Sequence, residues 1–149
     1  MYNEQPTQRA LHVYQFIWES VGIMTETKFH KLAYYAQAWA LVNLGRPLFT
    51  DAIGAWPYGP VVRSLWANGY GVSVNLPEED KQAIRDALAV YGHLTAAQLT
   101  RLSHSEAPWK DARKGLPANA KTSRIIPAEA IRQFYSTNGF VTRRQAAKQ

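Results

Sequence analysis

A mainly α-helical fold is what the sequence predicts: a compact single-domain bundle around one buried central helix, with a small β element of two or three short strands. Three observations predict it. The stretch after Thr25 is apolar most of the way round a helix. Most other apolar positions recur at helical spacing between threonine or proline starts and glycine stops. Only the stretches near residues 49–56, 72–76 and 123–126 lose that period.

The first helix is expected over Thr7 to Val21, where Leu11, Tyr14, Ile17, Trp18 and Val21 share a face and Gly22 ends the run. Thr25 then caps the central helix, which carries Phe29, Leu32, Ala33, Ala36, Trp39, Ala40, Val42 and Leu44 before Gly45. Tyr34, Tyr35 and Leu41 lie off that stripe, so this helix reads as the centre of the core. Its alanines let neighbours approach closely, and a bulky residue at Ala36 would overpack the seam by about 1 to 3 kcal/mol.

Phe49 to Trp56 reads as a turn and a short strand. Pro60 suits a first helical position, since no amide hydrogen is needed there, and Val61, Val62, Leu65 and Trp66 are expected to continue a short helix. Val72 to Leu76 alternates like a strand or an extended loop. Pro77-Glu78-Glu79-Asp80 opens a helix to Gly92, with carboxylates in the first turn facing the unpaired amides. Thr95 caps the next, and Pro108 starts a turn reaching Gly115. Ser123 to Ile126 is expected as a third strand, and Pro127 opens a last helix carrying Ile131, Phe134 and Tyr135. The domain is expected over 1–139, with a basic, flexible tail over 140–149.

A chain of 149 residues is long enough for one full core, burying about 70% of its unfolded surface. It has no cysteine, which excludes disulfides, thiolate metal sites and a cysteine nucleophile. The first residues lack the pattern of a secretion signal and no apolar run approaches a membrane span, so a soluble, cytoplasmic protein without membrane partners is expected. The net charge of +6 is concentrated: from Lys110 onward nine basic residues face two acidic ones. Such a strip attracts anionic partners, either nucleic acid or an acidic protein, and also fits a solvated end.

Two aromatic-proline segments stand out: Ala55-Trp56-Pro57-Tyr58-Gly59-Pro60-Val61-Val62 and Leu102-Ser103-His104-Ser105-Glu106-Ala107-Pro108-Trp109. Stiff backbone beside large rings either wedges helices together or presents a rigid surface. On the first reading Gly59 takes a positive φ, Pro60 starts a helix and Trp56 packs on the central helix, while His104 and Glu106 cap helix ends and orient Trp109. On the second the rings anchor a partner. Adjacent His104, Ser105 and Glu106 point different ways, so they do not form a nucleophile and base. The histidines His12, His30, His93 and His104 lack metal-site spacing, so no metal or other cofactor is expected. Gly69-Tyr70-Gly71 lacks the lysine and setting of a phosphate loop.

Together with Lys31-Leu32-Ala33-Tyr34-Tyr35-Ala36-Gln37-Ala38-Trp39 and Gly45-Arg46-Pro47-Leu48-Phe49, these segments resemble, in order, the Panacea domain family, the SocA-like proteins of bacteria and their phages. The resemblance implies a mainly helical antitoxin that neutralises a partner toxin by direct binding, without catalysis. The expected surface comprises Trp56, Tyr58 and Trp109 as ring anchors, His104 and Glu106 as polar orienting groups, and Arg63 and Lys110 for charge steering, with Gly59, Pro60 and Pro108 as structural residues of the motifs. Nucleic-acid binding through the basic last quarter, a prophage protein that binds a host factor, and a homodimer stay open.

Overall fold

The computed structural model describes residues 4–148. Threonine caps set the first two helices, α1 (Gln8–Val21) and α2 (Glu26–Asn43): the hydroxyls of Thr7 and Thr25 accept the amide hydrogens of Ala10 and Lys28. Gly22, at φ 92°, turns the chain between them, a conformation that side chains rarely adopt. Every residue of α2 from Phe29 to Ala38 is buried. Helix α2 packs against α1, and against the later α3 (Glu78–Tyr91), α4 (Ala96–Ser105) and α6 (Ala128–Asn138). It is the central helix that its composition predicts.

Strands β1 (Ile53–Trp56) and β2 (Gly59–Val62) pair antiparallel, with Ile53 opposite Val62 and Trp56 opposite Gly59. Pro57 and Tyr58 form the two-residue loop. Here the structure corrects the sequence: Pro60 does not start a helix but lies in β2 opposite Ala55, and only one 3-10 turn follows, at Arg63–Leu65. The reason is tertiary. Val61 and Val62 fit a pleated, buried surface, and the Val62 amide donates to Nδ1 of His30 on α2 at 3.1 Å. Trp56 packs edge-on against Trp66, centroids 5.3 Å apart.

The expected third strand is reduced to one bridge. Gly54 faces Ile125, the Ala55 amide donates to the Arg124 carbonyl at 3.0 Å, and the Ile126 amide donates to the Ile53 carbonyl at 2.7 Å. Residues 72–76 form no strand and run as an irregular loop. Three acids open α3, and one of them, Asp80, is fully buried between the guanidiniums of Arg9 and Arg46. A capping box between Thr95 and Gln98 starts α4; Glu106 follows in extended conformation, and Pro108 sits in the first turn of α5 (Ala107–Ala112).

Past Gly139, Phe140 stacks on Trp39 and Tyr135, at 4.4 and 5.0 Å between centroids. A short α7 (Arg143–Ala146) opens with a second capping box, between Thr142 and Gln145, and buries Ala146 where α7 meets α3. Among the described residues no helix is long and apolar enough to cross a membrane.

Candidate functional site

The two aromatic-proline segments meet in space. The hairpin loop sits against the end of α4 and the start of α5, which clasp it by its own carbonyls. Trp109 donates its indole hydrogen to the Trp56 carbonyl at 2.8 Å. His104 shares a hydrogen bond with the Pro57 backbone and lies flat on the Trp109 ring, 3.7 Å away and 9° from parallel. The Arg113 guanidinium stands 5.4 Å from the same ring, within cation-π range. Tyr58, at the tip, is 75% exposed. Gly59 closes the loop at φ 125°, and a Cβ there would stand 2.8 Å from Cε of Lys31. Both the backbone and the space therefore call for glycine.

Four of the seven expected site residues, Trp56, Tyr58, His104 and Trp109, thus form one corner, and Lys110 is exposed beside them on α5. Of the other two, Arg63 flanks the Trp56 indole on the side away from the loop tip, with Trp56 Nε1 and Arg63 Cγ 2.6 and 3.0 Å from where a Gly54 Cβ would stand, and Glu106 turns away from the corner. Arg63 follows the far end of β2, paired with Glu4 at 2.7 Å and donating to the Ser123 carbonyl at 3.1 Å. Glu106 turns inward: its Oε1 accepts the hydroxyls of Tyr35 and Tyr135, each at 2.7 Å, and the Tyr135 hydroxyl also meets that of Tyr34 at 3.0 Å. Burial raises the Glu106 pKa, opposed in part by these two hydroxyls. Instead of orienting Trp109 directly, Glu106 pins the α4–α5 junction to α2 and α6.

Two cations outside the expected surface lie beneath this corner. Lys31, in the apolar run of α2, is 2% exposed, and its one acceptor among the described residues is the Thr27 carbonyl at 3.4 Å. Burial pushes its pKa down to about 8. Arg113 is buried too, its guanidinium held by the carbonyls of Ala55, Pro117, Ala118 and Ala120 at 2.7 to 3.3 Å. The pKa of His104 is lowered by burial first, then by the positive charges of Lys31 and Arg113. A lysine among ten buried positions of one helix was the available signal for Lys31. Arg113 is legible with Lys110 and Lys114 as cations at one-face helical spacing, suited to an anion grip or a solvated face, and the structure buries it instead.

The corner holds no assembled nucleophile. The Ser103 and Ser105 hydroxyls donate to carbonyls of their own helix, at 3.2 Å to Thr100 and 2.6 Å to Leu102, and His104 faces Trp109 instead of either serine. Among the described residues no three histidine or carboxylate groups come together as a metal site. What the corner offers is ring surface over buried positive charge.

Residues 29–110, more than half of the chain, match the family model described as "Antitoxin SocA-like, Panacea domain". The match takes in both aromatic-proline segments and Lys31. Antitoxin SocA of Caulobacter vibrioides is 32% identical over 102 residues, covering 53% of this chain and 54% of that protein. The chain thus spans about half the length of that curated relative. No solved structure matches it.

Proposed function

The chain belongs to the antitoxin SocA-like, Panacea domain family, and from that premise we propose that it neutralises a cognate toxin protein by direct contact at the hairpin corner, without catalysis. One observation carries this reading. Two segments more than forty residues apart fold into a single ring-lined corner whose outermost side chain, Tyr58, is an exposed aromatic that covers no core of its own. Aromatic residues dominate the energetics of protein interfaces, and a preorganised loop loses little entropy when a partner docks.

In this reading Tyr58 and the accessible edges of Trp56 and Trp109 anchor the toxin, and Lys110 steers an acidic surface toward them. Glu106 acts from behind, as the post that fixes the junction. The basic last quarter supports protein contact over a nucleic-acid track, because several of its cations are already engaged. Arg113 and Arg124 donate to backbone carbonyls, and Arg132 pairs with Glu129.

The test is co-expression with the product of the adjacent gene, scored by growth and by pull-down. Tyr58→Ala and Lys110→Ala should weaken rescue and capture while leaving the circular dichroism spectrum unchanged. Full rescue and capture by Tyr58→Ala, His104→Ala, Trp109→Phe and Lys110→Ala alike would show that the partner binds elsewhere.

A further inference from the structure

Lys31 is a buried positive charge that the described structure leaves almost unanswered. Its Nζ has three hydrogens to place, and the one acceptor within reach is the Thr27 carbonyl at 3.4 Å. That carbonyl is also the regular i−4 acceptor for the Lys31 amide in an α-helix, so the contact is shared as well as long. No ion pair engages Lys31 among the described residues, and no carboxylate field acts on it. The carboxylate of the nearby α4–α5 junction, Glu106, is turned away and occupied by two tyrosine hydroxyls. The other titratable groups coupled to Lys31 are His30 and His104, both bases.

A buried ammonium in such surroundings is costly, and it persists in proteins where an anion completes it. The position of Lys31 says from where. Its Nζ lies 3.6 Å from the point where a Gly59 Cβ would stand, directly under the hairpin loop, with Ser103 Oγ 3.3 Å from that same point. On the α4 side the loop is held at Pro57 by His104 and only loosely at Tyr58. The Thr100 hydroxyl reaches the Tyr58 carbonyl only at 3.4 Å while donating to the Ala96 carbonyl at 2.9 Å.

We propose that the space between the Pro57–Tyr58 loop and α4 is a carboxylate-binding subsite, in which Lys31 receives an aspartate or glutamate side chain of the protein that docks on the hairpin corner. The Tyr58 end of the loop, held more loosely than the Pro57 end, yields to admit it, and Ser103 lines the entry. This rests on the reading of the corner as the partner-binding face and names the chemistry of that partner: an acidic loop or helix end. The absence of a Cβ at Gly59 is what leaves room for the Lys31 side chain beneath the loop.

Acetate is the probe for the subsite itself. In NMR of isotopically labelled protein, the Lys31 ammonium is titrated with pH in sodium chloride and again in sodium acetate of equal ionic strength. Acetate at about ten times its dissociation constant should raise the Lys31 midpoint by about one pH unit. It should also shift the Tyr58 and Gly59 amides saturably, and the amide response should vanish in Lys31→Met. An unchanged midpoint with unmoved Gly59 would overturn the subsite, whatever the partner does. Capture of the adjacent gene product then tests its use: Lys31→Met should weaken binding at least tenfold, and equal capture by both proteins would overturn the insertion. Failure of the unaltered chain to capture that product, with a positive acetate response, would reject the toxin-binding reading and leave the carboxylate subsite supported.

Discussion

Glu106 and Lys31 are both buried ionisable groups that meet α2, one through Tyr35 and the other from Lys31 itself, a single helical turn earlier. Their surroundings are opposite. Glu106 has two hydroxyl donors at 2.7 Å, from helices α2 and α6, and is tied into the core. Lys31 has one shared carbonyl at 3.4 Å and lies under a loop. A buried polar group with all its partners belongs to the fold, because removing any partner exposes the rest to an unmet desolvation cost. A buried charge with one long contact destabilises the free chain, and losing its proton or gaining an anion relieves it. The contrast separates the part of this corner that holds the structure from the part proposed to receive a carboxylate.

The comparison breaks most visibly at Glu106. Glu106→Ala leaves two buried hydroxyls without an acceptor and should lower unfolding stability in urea by about 3 kcal/mol. Glu106→Gln keeps an acceptor and should lower it by less than half as much. Equal losses would show that the hydroxyl pair is not what holds the junction.

At Lys31 the sign reverses. Burial lowers its pKa from the ordinary 10.5 to about 8, so between those values the unfolded chain binds more protons and the folded protein gains stability as pH rises. Below pH 8 the full penalty is present. Lys31→Met should therefore stabilise the chain at pH 7 by roughly 2 to 3 kcal/mol, an advantage that fades as pH climbs toward 10.5. A pH-independent effect, or a loss of stability, would mean that the ammonium is better satisfied than its geometry indicates.

Gly59→Ala should cost about 1 to 2 kcal/mol, from the positive φ and the approach to Lys31 Cε, seen as a lower melting temperature. Smallest in stability is Tyr58→Ala. With its ring in solvent, the change should stay within about 0.5 kcal/mol by denaturation while partner affinity falls tenfold or more.

The helices were largely legible in the sequence because their signals are local. Thr25 and Thr95 cap as their spacing suggests, Thr7 caps the helix expected to begin with it, and Gly22 and Gly139 follow α1 and α6 with positive φ. Pro60 misled because the local preference for a first helical position competes with pairing across β1, which no short window shows. The loop corner was partly legible: Trp56, Tyr58, His104 and Trp109 came together as two rigid segments, whereas the inward turn of Glu106 depends on an extended backbone at φ −104° and ψ 144° between two helices. Lys31 was visible only as a lysine in an apolar run. Its importance comes from what is missing around it, and absence of partners is a property of three-dimensional neighbours. In the C-terminal segment, the Thr142 and Gln145 capping box was there to be read, but the packing of Phe140 on Trp39 was not.

The most direct test of the central claim is a backbone amide and tryptophan indole NMR footprint of the chain bound to the product of its adjacent gene. The largest changes are expected on Tyr58, Gly59, His104 and the Trp109 indole, with Lys31 responding beneath them. A footprint centred instead on the groove lined by Trp39, Leu44, Glu79 and Asp86, at the opposite end of α2, would contradict it.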